Sequence, residues 1–196
     1  QAATYLKLLR SGRVPAQNIG TVLDLICGKG DEDDLRVVFD QALDPQTLAA
    51  PTRAKALASL ADAMQNRKIK PSGDLAGIAQ LVKDSSSADV QLQAIRLASV
   101  WQVAEAGQEL QRLVGDLKAS PPLRQAALAG LVKLGGPESR AAIMQLTLPP
   151  SPLPERYRAV AALAAIDIDA AAQRAADTLA DGTATESPAV LVEAFL

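Results

Sequence analysis

The sequence predicts an all-α chain: a right-handed α-solenoid of about six helix pairs, near 33 residues each, spanning residues 1–196 as one domain. Three observations carry this. One apolar template recurs along the whole chain, starting at residues 16, 53, 91, 124, 156 and 188, so that successive copies are 37, 38, 33, 32 and 32 residues apart. Alanine supplies about a fifth of the chain, well above ordinary usage, and aromatics only 3%. Alanine is the best helix former and the smallest side chain with a Cβ, so helices rich in it pack closely. No long alternating β-branched run is present, which leaves strands without support.

The template is a lead residue followed by apolar positions at i+3, i+4, i+7 and i+10, one face of a helix. From Ala16 it reads Ile19, Gly20, Leu23 and Ile26. From Arg53 it reads Ala56, Leu57, Leu60 and Ala63, and from Gln91 it reads Ala94, Ile95, Ala98 and Trp101. Arg124 leads Ala127, Leu128, Leu131 and Leu134; Arg156 leads Ala159, Val160, Leu163 and Ile166. A last, weaker copy from Pro188 gives Leu191, Val192 and Phe195. Between copies lies a second helical pattern: Leu35–Ala42, Leu75–Val82, Leu110–Leu117, Ala142–Leu146 and Ala172–Leu179. One helix pair cannot bury its apolar face alone, so each copy is expected to stack on its neighbours, with Leu128 and Leu131 buried between repeats.

Punctuation agrees with the periodicity. Ser120 stands where an N-cap belongs, before Pro121, a residue tolerated where the backbone N–H has no partner anyway. Gly135 and Gly136 stop that helix, and Pro137 opens the next. Asp31 to Asp34 places negative charge at a helix start, where the macrodipole favours it. Pro71-Ser72-Gly73-Asp74 and Pro149-Pro150-Ser151-Pro152 read as turns or short loops.

The Arg–x–x–Ala–apolar runs at Arg53, Arg124 and Arg156 resemble HEAT-like repeats, the armadillo-type α-α superhelix. The resemblance covers essentially the whole chain. It implies a scaffold fold and leaves the activity open, because one fold serves many functions. Two copies depart from it: Gln91 stands where arginine is usual, and Gly20 where alanine is expected. Arg53 to Pro71 and the terminal VLVEAFL also resemble the HEAT-like segment of large secreted bacterial proteins, in which a sugar-dehydrogenase-like propeller precedes the repeats and a c-type cytochrome domain follows. That second resemblance implies a multidomain protein in a periplasmic or secreted location, with this segment as the spacer and the oxidoreductase chemistry outside it.

Composition narrows the chemistry. The formal charge is −2 and histidine is absent, which excludes His/Cys zinc sites and any His-based triad. The single cysteine, Cys27, excludes an internal disulfide and the C-x-x-C-H haem motif. No cofactor is expected in this segment, and no apolar run is long enough for a membrane span. The acidic balance argues against duplex DNA, because affinity there depends on phosphate neutralisation.

The candidate binding positions are Arg53, Gln91, Arg124 and Arg156, which recur near helix starts. They read either as a ladder gripping anions or, as recurrence at the repeat period favours, as groups bonding loop carbonyls or an acid of the adjacent repeat. Asp31–Asp34 lacks the spacing of a calcium loop and reads as a helix cap. Arg67-Lys68-x-Lys70 reads as a solvated loop, Trp101 as core, Cys27 as a buried inert thiol, and the Pro149-x-x-Pro152 segment as a rigid connection rather than an SH3-type ligand.

The expected function is therefore a non-catalytic scaffold that contacts a protein or a neighbouring domain. The alternative class is a HEAT-like enzyme, of the lyase or DNA-glycosylase type, with a site in the concave groove. Opening on Gln1 and closing on the uncharged run Val190–Val192 and Phe195–Leu196, the chain reads as a fragment. A further repeat is expected after residue 196, with an apolar patch exposed at that end of the isolated segment.

Overall fold

A computed structural model describes residues 2–84, 86–182 and 187–196. Among these residues every regular element is helical, and no strand is present. The helices are α1 (Ala2–Arg10), α2 (Ala16–Lys29), α3 (Glu32–Leu43), α4 (Ala50–Arg67), α5 (Ile78–Asp84), α6 (Ala88–Trp101), α7 (Gly107–Gly115), α8 (Pro121–Leu134), α9 (Gly136–Leu146), α10 (Leu153–Ala164), α11 (Ile168–Ala180) and α12 (Ala189–Glu193), with a 3₁₀ turn over Ala104–Ala106. The copies of the template fall on α2, α4, α6, α8, α10 and α12, and the intervening patterns on α3, α5, α7, α9 and α11, except that Leu75 precedes α5 and that Ile166 and Phe195 lie past the ends of α10 and α12. Packing divides the chain into two compact units, Gln1–Glu109 and Leu110–Leu196.

In the first unit α4 packs against both α2 and α6, α3 packs on α2 and α4, α5 packs on α6, and α1 packs on α2 and α3. Each template helix therefore touches the template helix before or after it and the second helix beside it. Leu23, Ile26, Leu35, Phe39, Leu57, Leu60 and Ile95 are fully buried. Each such side chain stabilises the fold by about 1.5–3 kcal/mol relative to leaving it exposed. Trp101 is buried and meets Phe39 edge to face, ring centroids 5.2 Å apart at 79°. This arrangement puts the positive edge of one ring against the negative face of the other.

The second unit repeats the pattern. α10 packs against α8 and α12 on either side, and against α9 and α11. Leu131, Ile143, Val160 and Leu163 are fully buried. Leu191 fastens α12 with 2% exposure, while Val190, Val192, Phe195 and Leu196 are exposed.

Several expectations need correction. Leu128 is only half-buried, although Leu131 is sealed. Leu117 lies beyond the end of α7 and is 61% exposed. The fifth of the helices between template copies turns another face inward: Ala171, Ala175 and Thr178 are buried, and Ala172, Ala176 and Leu179 are exposed. Thr178 tolerates burial because its hydroxyl donates to the Arg174 carbonyl at 2.7 Å. Ser120 occupies the N-cap of α8 but its hydroxyl caps nothing. Pro121 and Pro122 have no N–H to offer, so fewer orphan donors remain there.

Candidate functional site

The four recurring lead residues do not do the same thing. Arg53 is 6% exposed, and its Nε donates to the Ala42 carbonyl at 2.9 Å, with Nη2 reaching the Leu43 carbonyl at 3.4 Å. Arg156, 7% exposed, donates from Nε to the Thr147 carbonyl at 3.0 Å and from Nη2 to Asp181 Oδ2 at 2.8 Å. Gln91 Nε2 donates to the Val82 carbonyl at 2.8 Å. In each case the template helix ties down a carbonyl in or just after the last turn of the preceding second helix. Those carbonyls have no intrahelical donor, and they carry the negative end of the macrodipole, so a cationic donor fits twice over.

Arg124 departs from this pattern. Its Nη2 pairs with Glu155 Oε1 on α10 at 3.1 Å, and its buried Nε makes no hydrogen bond. Arg158 Nη1 also donates to that same Glu155 oxygen, at 2.9 Å. Two guanidiniums thus share one carboxylate oxygen.

A second polar region lies between α2 and α4. A groove of about 440 Å³ is lined by Asp24, Cys27, Gly28, Ser59 and Asp62, with Arg67 at one end. Lys55 Nζ crosses α2 to reach Asp24 Oδ2 at 2.6 Å, and the Ser59 hydroxyl also donates to Asp24. The lysine stem passes close to Gly20, where a Cβ would sit 2.9 Å from Lys55 Cδ, a flexible atom able to move aside. Arg67 is exposed, as expected of a solvated group, but it ends α4 and is tied to backbone. It donates to the Cys27 carbonyl at 2.6 Å and the Gly30 carbonyl at 2.5 Å, closing the end of α2. Lys68 and Lys70 are exposed.

Cys27 is 2% exposed, and burial, with Asp24 adding repulsion, pushes its thiol up to about 12. A thiol held protonated at neutral pH is a poor nucleophile. Among the described residues two carboxylates are shifted downward, both by local donors. Asp44 is lowered by the Thr47 hydroxyl and the Gln46 amide of its turn. Asp167, the N-cap of α11, is lowered by the Ala170 amide and then by Arg140. At Asp31 the acidic run forms a capping box: the Asp34 amide donates to Asp31 Oδ1 at 2.9 Å, and the Asp31 amide to Asp34 Oδ2 at 3.2 Å.

Among the described residues no group of three or more Cys, Asp or Glu is placed to hold a metal ion, and no helix is long and apolar enough to cross a membrane. Comparison with protein-family models, with curated proteins and with solved structures finds no match to this chain.

Proposed function

We propose that this chain is a non-catalytic helical-repeat scaffold, a right-handed α-solenoid of the HEAT or armadillo type, whose surface contacts a protein or a neighbouring domain. One observation carries the reading: within each unit a template helix packs on the template helices before and after it, α4 against α2 and α6, α10 against α8 and α12. Nearest-neighbour stacking of this kind is how quasi-one-dimensional repeat proteins build a continuous core. The lead residues support it further, because Arg53, Gln91 and Arg156 direct their donors to helix-end carbonyls rather than outward to a ligand.

Two measurements test this. Solution scattering should give a radius of gyration clearly above the roughly 16 Å of a compact domain of this length; a value at or below that figure rejects the solenoid. The scaffold role is tested with a photo-crosslinking residue placed at exposed positions in the cell that makes this chain. Gln80 on α5 and Gln145 on α9 should yield one discrete protein adduct, and Gln65 on α4 none. No adduct at any position, or the same adducts at all three, rejects a contact surface built from the second helices.

A further inference from the structure

The second unit contains a cleft that its own side chains leave open. One part, about 130 Å³, lies between Val114 on α7, Leu117, Leu146 on α9 and the Pro150–Pro152 stretch. It adjoins a smaller space of about 20 Å³ that reaches Arg124 and Arg158, and Val114, Leu146 and Glu155 line both.

Three independent features meet here. The first is an apolar wall with a lip: Leu117 is 61% exposed beside the half-buried Val114 and Leu146. The second is charge. Arg124 and Arg158 face a single carboxylate, Glu155, so one positive charge is left over, on a chain whose net charge is −2. Arg124 alone among the recurring arginines keeps a buried Nε–H without an acceptor. The third is the start of α10. Pro152 is its N-cap, no side chain caps it, and Ser151 and Pro152 line the cleft. Pro152 and Pro154 have no N–H and the Glu155 amide bonds the Pro152 carbonyl at 3.0 Å, so the first turn keeps only the Leu153 amide, with the positive end of the macrodipole, to meet an anion.

An apolar wall that ends in excess positive potential suits an apolar side chain followed directly by a carboxylate. We infer that this cleft docks an extended acidic peptide segment of a protein partner, with a leucine-like side chain against Leu117 and Leu146 and the adjacent Asp or Glu directed to Arg158 and the start of α10. The assignment rests on the scaffold reading and names the partner's chemistry. The carboxylate of Glu155 is already occupied by two guanidiniums, so it opposes the incoming charge less than an unpaired acid would. Charge complementarity of this kind sets which partner binds and in which register.

The test uses the whole ¹⁵N-labelled chain and three capped peptides, Ser-Leu-Glu-Ser, Ser-Leu-Gln-Ser and Ser-Ala-Glu-Ser, at physiological salt so that diffuse charge effects are screened. The first should produce saturable shifts at the amides of Leu117, Ser151 and Glu155 and at the Arg124 Nε–H. The other two should bind at least about tenfold more weakly. Leu117→Ser, at an exposed site outside any helix, should weaken the first peptide without changing the helical spectrum. No saturable shift up to about 10 mM, equal binding of the glutamine peptide, or undiminished binding by Leu117→Ser overturns the assignment. Adducts at Gln80 and Gln145 alongside such a failure would leave the scaffold standing and remove only the cleft.

Discussion

Arg124 and Arg156 hold the same repeat position, yet deleting their guanidiniums should cost very different amounts. Arg156→Met keeps most of the stem volume and removes the donor to the carbonyl of Thr147, a residue only 1% exposed. An acceptor left unsatisfied in the interior costs about 1–3 kcal/mol. The lost pair with Asp181 adds up to about 1 kcal/mol, because that carboxylate is 55% exposed and screened. The expected loss is therefore about 1–4 kcal/mol. Arg124→Met removes one 3.1 Å pair, but Glu155 keeps Arg158 at 2.9 Å, and the change also eliminates a buried Nε–H that had no acceptor. Its cost should stay within about 1 kcal/mol. Urea unfolding of the two variants and the parent, followed by circular dichroism, measures both numbers. The reasoning fails if Arg124→Met costs as much as Arg156→Met, or if Arg156→Met costs less than about 0.5 kcal/mol.

Three other outcomes are expected. Leu131→Ala, at a fully buried site, should lose roughly 2–5 kcal/mol in the same urea assay, and Leu128→Ala clearly less; a reversal would mean the register of α8 is wrong. Gly135 sits at φ +65° and ψ −156°, with nothing near its missing Cβ, so Gly135→Ala should cost about 1–3 kcal/mol through the backbone alone, whereas Gly28→Ala, helical and equally uncrowded, should gain about 0.5–1 kcal/mol; thermal melts in which both changes have the same sign would refute this. Cys27, with its thiol pushed up to about 12, should resist a disulfide reagent at pH 8 in the folded chain and react at once in urea, so rapid native labelling would contradict the burial.

Much of the fold was legible because it depends on local spacing. Apolar residues at i, i+3, i+4 and i+7 define a helical face wherever they occur, and the four copies led by Arg53, Gln91, Arg124 and Arg156 all became helices with at least two buried template positions. The face of α11 was not legible, because AAAQRAADTLA offers small residues all round, and hydrophobicity alone cannot choose among them. Packing selected Ala171 and Ala175, and it admitted Thr178 because that hydroxyl satisfies itself within the helix. Leu117 was misplaced for a related reason: it extends the apolar period of α7 by one turn, but the helix stops at Gly115, a residue with low helix propensity.

The ladder was legible as recurrence, but its partners were not. The Nε of Arg53 reaches back eleven residues to Ala42, while Gln91 and Arg156 reach back nine, to Val82 and Thr147. The shared partner is thus a type of atom, an orphan carbonyl at a helix end, and not a residue type that a sequence could display. This also accounts for Gln91 in place of arginine. A neutral amide still supplies the hydrogen bond and forgoes only the charge–dipole contribution, about 0.3–1 kcal/mol at a helix terminus. Nine residues before Arg124 stands Gly115, the last residue of α7, yet this arginine turns the other way, to an acid 31 positions ahead in the first turn of α10. Glu155 serves α10 as well as Arg124, since a carboxylate in a first turn is favoured by the macrodipole. Arg156 keeps its helix-end carbonyl while also pairing with Asp181, whereas Arg124 gives up that bond for Glu155 on the next template helix, and the open cleft lies where the missing bond would have joined α8 to the end of α7.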